Sequence, residues 1–141
     1  MKILAIESSC DETAVAIIEN GWKVHCNIIA SQIEIHSETG GVVPEVASRE
    51  HMKAILPTIR AALKEAKMSW DDIDTIAVTK EPGLIGSVLV GRMTAAALSF
   101  ALEKPLIEVN HIHGHLYSNW LSRETAPQYP ILSLTVSGGH N

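Results

Sequence analysis

Aromatic side chains are scarce in this 141-residue chain: three Trp, two Tyr and a single Phe make up 4% of it. Its core must be filled by Ile, Leu, Val and Ala, which favours layered α/β packing over a sandwich built around large rings. Cysteine is nearly absent. Cys10 and Cys26 form no Cys-x-x-Cys pair, which excludes a disulfide framework and a cysteine-rich zinc site and fits a reducing, cytoplasmic setting. Positive charge is in deficit, with 11 Lys and Arg against 16 Asp and Glu and a net charge of -5. This argues against nonspecific nucleic-acid binding by bulk attraction, so any RNA contact needs a local basic patch or a basic partner. No secretory signal is read at the N-terminus, because Glu7, Asp11 and Glu12 interrupt it. The apolar stretch from Ser87 to Leu102 carries Arg92, Thr94 and Ser99, which argues against a membrane span and for a buried core helix. What remains, at 46% hydrophobic and 19% charged, is one globular domain over residues 1–141.

Short β-branched runs from Lys2 to Ile6 and Thr13 to Ile18, followed by Lys23 to Ala30, predict strands, and Asn20-Gly21 predicts a tight hairpin between the last two. The period becomes helical from Pro44 to Met68. There Val46, Ile55, Leu56, Ile59, Leu63 and Ala66 share a face, Lys53, Arg60, Lys64 and Lys67 share another, and Pro57 is expected to kink or divide the segment. Further on, the pattern predicts a strand at Asp74 to Thr79, a helix at Gly86 to Glu103 and a strand at Leu106 to Val109. Asn110 then caps a short helix, and a final strand runs from Ile131 to Val136. A meander followed by crossovers is the order of an α/β domain of the ribonuclease-H-like or actin-like kind, a mixed sheet flanked by helices.

His111-Ile112-His113-Gly114-His115 holds the most pointed chemistry. Residues i and i+4 lie on one helix face, so His111 and His115 can converge on one metal ion; the same spacing also serves a histidine-rich helix surface. A zincin protease is disfavoured, since Ile112 stands where that motif has its glutamate base. Ser137-Gly138-Gly139 ends the last apolar run, and its amides could cradle an anion or simply end a strand. The loop with Ser8, Ser9, Asp11 and Thr13 offers hydroxyls and a carboxylate for phosphate or metal-bound water, or a turn that satisfies its own backbone. Thr79 to Ser87 joins a strand to a helix through Pro82-Gly83 and could present amides to an anion.

These strings, IESSCDET, GGVVPEVASREH, EPGLIGSVLVGRMTAAALSFA, PLIEVNHIHGHL and LTVSGGHN, cover nearly the whole chain. Together they resemble the tRNA threonylcarbamoyladenosine synthase family, formerly called glycoprotease. The resemblance implies the first of two actin-like (ASKHA) domains, with an active site between them. It implies that His111 and His115 bind iron or zinc, with an aspartate outside these residues as third ligand. It assigns Thr135, Val136, Ser137, Gly138 and Gly139 to the threonylcarbamoyl-AMP substrate and gives Asp11 a catalytic role. The implied reaction moves the threonylcarbamoyl group to the adenosine beside the tRNA anticodon, at position 37. GGVVPE is similar to bacterial members, which implies a smaller paralogous actin-like subunit and an ATPase subunit as partners, and no membrane. Two departures are Glu81, before Pro82 where the family commonly has glycine, and Asn141, where threonine is usual. A second hypothesis is a non-catalytic assembly module that pairs with a paralogue through the helices at Pro44 to Met68 and Gly86 to Glu103.

Overall fold

The computed structural model describes residues 1–121, 125 and 128–136. Ser137, Gly138 and Gly139 therefore lie outside the described residues. Strands β1 (Lys2–Glu7), β2 (Glu12–Glu19) and β3 (Lys23–Ser31) form the expected antiparallel meander. The β2–β3 hairpin turns on Asn20 and Gly21, both at positive φ (55° and 84°), the conformation that the tight hairpin needs and that Asn and Gly adopt at least cost. Two helices follow, α1 (Ile33–Ser37) and α2 (Pro44–Ala66), then β4 (Thr75–Glu81), α3 (Ile85–Leu102), β5 (Leu106–Asn110) and α4 (His111–Tyr117). The five strands make one mixed sheet in the order β3-β2-β1-β4-β5. β1 pairs antiparallel with β2 and parallel with β4, and β4 pairs parallel with β5.

Alternation along the strands explains where the core lies. Leu4 and Ile6 of β1 and Val15 and Ile17 of β2 are buried, and they cluster with Ile55, Ile59, Ala62 and Leu63 of α2 and Ala95 of α3. β4 lies between β1 and β5, parallel to both, and its run Thr75-Ile76-Ala77-Val78 is buried throughout, as is usual for parallel strands covered on both faces. Ile3, Ala5, Ala14, Ala16, Ile18 and Asn27 instead line a trough of about 570 Å³ that also touches Gly114, Tyr117 and Trp120.

Four expectations are corrected. Helix α2 is not divided at Pro57: the residue is exposed, so the carbonyl that loses its amide partner faces water rather than the core. Leu56 leaves the buried face of α2 and is exposed, while Ala47, His51 and Thr58 join it. α3 is not buried all round. Only Ser87, Val88, Gly91 and Ala95 are buried, and although α3 is long and apolar enough by length and composition to cross a membrane, one small-residue face packs on the sheet. Finally, residues 131–136 form no strand. Leu132, Leu134 and Val136 are 99%, 84% and 74% exposed, and a period-two run cannot become a strand without a neighbour to take its amides and carbonyls. Sequence periodicity had also given no sign of α1, five residues being too short to show a helical repeat.

Close packing of α3 on the sheet rests on Gly91, where a Cβ would fall 2.3 Å from Ser8 Oγ, a buried hydroxyl that donates to the Ser87 carbonyl at 2.8 Å. Gly91→Ala is expected to destabilise the protein by about 1–2 kcal/mol in urea unfolding, the clash outweighing the gain in helix propensity. Adding Ser8→Ala should recover part of the loss, and strict additivity of the two would refute the contact.

Candidate metal centre

Three parallel strands end at one edge of the sheet, and the site is built there. β1 ends on Glu7, β4 carries Thr79, and β5 ends on Asn110, immediately before α4. Asn110 caps that helix as expected: its Oδ1 accepts from the amides of Ile112 at 2.9 Å and His113 at 3.3 Å. This cap fixes where α4 begins and hence which face carries its histidines. His111 and His115 turn inward to a cleft of about 180 Å³ lined also by Glu7, Thr79, Gly114 and Ser118. His113 is exposed on another face.

The two imidazoles meet edge to face, with centroids 4.5 Å apart and planes at 86°. Their Nε2 atoms are 3.0 Å apart. Metal–imidazole bonds of about 2.0–2.1 Å with an angle between 90° and the tetrahedral value require a nitrogen separation of about 2.8–3.4 Å. The pair therefore fits two adjacent coordination positions on one divalent ion, zinc or iron being suited to imidazole. Among the described residues no group of three His, Cys, Asp or Glu side chains converges as a metal site.

Glu7 was not singled out by sequence, yet it is the hub of this edge. Its Oε1 accepts from the Ser9 amide and its Oε2 from the Thr79 hydroxyl. Oε2 also lies 3.2 Å from His111 Nδ1, with Ser9 Oγ 3.3 Å from the same nitrogen. Burial pushes the Glu7 carboxyl towards its neutral form, but the hydrogen bonds from Ser9, Thr79 and His111 together outweigh burial and hold its pKa below the usual carboxylate range. A signal for Glu7 was available in the alternation of β1, which sends Leu4 and Ile6 to the core and Glu7 to the other face.

The loop after β1 is fastened at successive positions. The Ser9 carbonyl accepts from Leu84 N at 2.8 Å and the Asp11 carbonyl from Gln32 N at 3.1 Å. His51, fully buried on α2, stands 2.7 Å from Thr13 Oγ1 through Nδ1 and 3.0 Å from the Cys10 carbonyl through Nε2. Since Cys10 O can only accept, Nε2 carries the proton and Nδ1 accepts from the threonine hydroxyl. Asp11 is half-buried in this loop, beside the Cys10 thiol. Burial first, and then the Asp11 carboxylate, push that thiol pKa up, which disfavours thiolate chemistry at neutral pH. Thr135 is half-buried and Val136 exposed in an irregular segment. The structure thus brings His111 and His115 together and sets Asp11 in the loop that runs past them. Ser137, Gly138 and Gly139 fall outside the described residues.

The basic residues Lys53, Arg60 and Lys64 lie exposed on α2, and Lys67 lies exposed at its C-cap. At the β4–α3 turn a Cβ on Gly83 would fall 2.6 Å from the Ser9 carbonyl, so Gly83 is required by close backbone approach.

Comparison with known proteins bears on what this edge does. The family model described as tRNA N6-adenosine threonylcarbamoyltransferase matches residues 23–141. A protein of that name from Dehalococcoides mccartyi is 56% identical over 140 residues, 99% of this chain and 43% of the relative. One from Bacillus anthracis is 55% identical over 138 residues, 98% of this chain and 40% of the relative. The chain thus spans about two-fifths of the length of these curated relatives. Among solved structures, YeaZ from Pseudomonas aeruginosa superposes with a TM-score of 0.57 at 24% identity, over 78% of this chain and 45% of that one. Thermus thermophilus RuvC, in complex with a Holliday junction substrate, superposes at 0.54 and 11% identity, over 91% of this chain and 83% of that one. These two likenesses concern the fold, which is ribonuclease-H-like and actin-like, as expected from the order of elements.

His51→Ala is expected to cost about 3–5 kcal/mol in urea unfolding, because it opens a cavity and strands the Cys10 carbonyl and Thr13 hydroxyl at once. A cost below about 1 kcal/mol would mean that the loop is held by its other contacts.

Proposed function

The chain belongs to the tRNA N6-adenosine threonylcarbamoyltransferase family, and from that we propose that it is the metal-holding N-terminal part of an acyltransferase that modifies adenosine 37 of tRNA. The observation that carries this reading is the pair of Nε2 atoms 3.0 Å apart at the end of the parallel strands. His111 and His115 would hold one iron or zinc ion, completed by a ligand from a second actin-like domain outside these residues. When bound, that ion supplies Lewis-acid polarisation of the threonylcarbamoyl group.

In the proposed reaction the adenosine N6 amine attacks the carbamoyl carbonyl of threonylcarbamoyl-AMP. A C–N bond forms, the C–O bond to the phosphate breaks, AMP leaves, and the amine loses a proton. Asp11, a carboxylate on the fastened β1–β2 loop, is assigned the catalytic role of accepting that proton. Thr135, Val136, Ser137, Gly138 and Gly139 are assigned to substrate binding, with glycine amides near the phosphate. A net charge of -5 supports a division of labour in which partner subunits supply part of the grip on tRNA.

His111→Ala and His115→Ala in the full-length protein are expected to abolish bound metal, measured by elemental analysis, and to lower turnover by at least about 100-fold. Undiminished turnover in both variants would sink the metal reading. The 141 residues alone should form no modified nucleoside with substrate, tRNA and partners present, and measurable product would refute the need for a second domain.

A second role is compatible with the first and rests on the helix faces away from the sheet. Met52 and Leu56 of α2 and Met93 of α3 are exposed around a groove of about 510 Å³ that also takes in Val90, Ala97 and Ala101. Phe100 of α3 is 88% exposed. Such a contiguous apolar face suits a helix pair of similar shape, and we assign it to the smaller paralogous actin-like subunit, with the ATPase subunit completing a bacterial-type complex. Met93→Glu should weaken that pairing at least about tenfold in sedimentation or calorimetry while leaving bound metal unchanged. Unaltered pairing would place the interface elsewhere.

A further inference from the structure

We propose that Glu7 is a positioning residue for the metal centre, fixing His111 in the tautomer whose Nε2 lone pair faces the ion. The inference rests on the reading of His111 and His115 as metal ligands, and it assigns Glu7 a role that acts through His111.

Hydrogen-bond chemistry makes the argument. Glu7 Oε2 lies 3.2 Å from His111 Nδ1, and a carboxylate oxygen can only accept, so the contact is satisfied when Nδ1 carries the proton. A neutral imidazole protonated at Nδ1 has its lone pair on Nε2, and His111 Nε2 is the atom 3.0 Å from His115 Nε2. The carboxylate is itself held rigidly. The Ser9 amide donates to its other oxygen, and the Thr79 hydroxyl, from the neighbouring parallel strand, donates to Oε2. Glu7 stands at the end of β1, and its three partners come from three other places: the loop after β1, β4 and the start of α4. The orientation of His111 is thereby tied to the sheet itself and not only to α4, a short helix of seven residues. Carboxylates that orient metal-bound histidines in this manner strengthen the ligand's donor power, and their loss costs metal affinity.

Glutamine does not substitute here. Every group that faces the Glu7 carboxylate donates to it in this arrangement, and an amide offers an acceptor on only one side. If its oxygen faces the Ser9 amide, its NH2 faces His111 Nδ1 and selects the opposite tautomer. If it is flipped, two N–H groups confront each other at Ser9.

The test uses the full-length protein. The affinity for Zn2+ is measured by competition with a chromophoric chelator in the wild type and in Glu7→Gln, Glu7→Ala, His111→Ala and His115→Ala. The His111 tautomer is read separately in metal-free wild-type protein from 15N shifts and long-range couplings of labelled histidine. The expected result is an Nδ1–H tautomer for His111, a loss of Zn2+ affinity of about 10–100-fold in both Glu7 variants, and a loss at least as large in the histidine variants. An Nε2–H tautomer in the wild type overturns the proposal even if the Glu7 variants do not fold. Glu7 variants that fold and bind Zn2+ within about twofold of wild type overturn it too. In that case loss of binding in the histidine variants would leave the metal reading standing, whereas histidine variants that retain Zn2+ would remove both.

Discussion

Everything at the histidine-bearing edge depends on the parallel pairing of β1, β4 and β5. Parallel strands deliver their C-terminal ends to the same side, and ligands in open α/β sheets collect there for that reason. Here that constraint places Glu7, Thr79 and Asn110 within one cleft although they are separated by up to 103 positions in sequence. The antiparallel hairpin β2–β3 contributes no side chain to that cleft. It extends the sheet and supplies Thr13, through which His51 secures the loop.

Much of the fold was legible because its signals are local. Short apolar, β-branched runs marked all five strands, Asn20-Gly21 marked the hairpin, and Asn110 marked the start of α4. Where the reading failed, the deciding physics was not local. Pro57 breaks a helix only if the carbonyl it strands has no other partner, and exposure to water removes that condition. Residues 131–136 have the pattern of a strand, but among the described residues no strand pairs with them. Apolar content made α3 look like a core helix, yet the sheet takes up only its Ser87-Gly91-Ala95 face.

The candidate site divides the same way. His111 and His115 were visible because helical periodicity predicts which residues share a face. Glu7 and Thr79 were not, because their relation to His111 exists only after β1, β4 and β5 have paired. His51 lies in the string VASREH that marks the family resemblance, but its two partners, Thr13 and Cys10, belong to a different hairpin. Side chains that fasten elements to each other have no spacing rule to betray them.

The pleat of β1 carries one more consequence. Leu4 and Ile6 face the helices while Glu7 emerges on the opposite side, so a slip of one residue in the β1–β4 ladder would bury the carboxylate and expose the isoleucine. Donor geometry at the histidines is thus a readout of correct strand registry. A copy with slipped strands would lose the contact between Glu7 and His111, so this one contact reports on the assembly of the whole sheet.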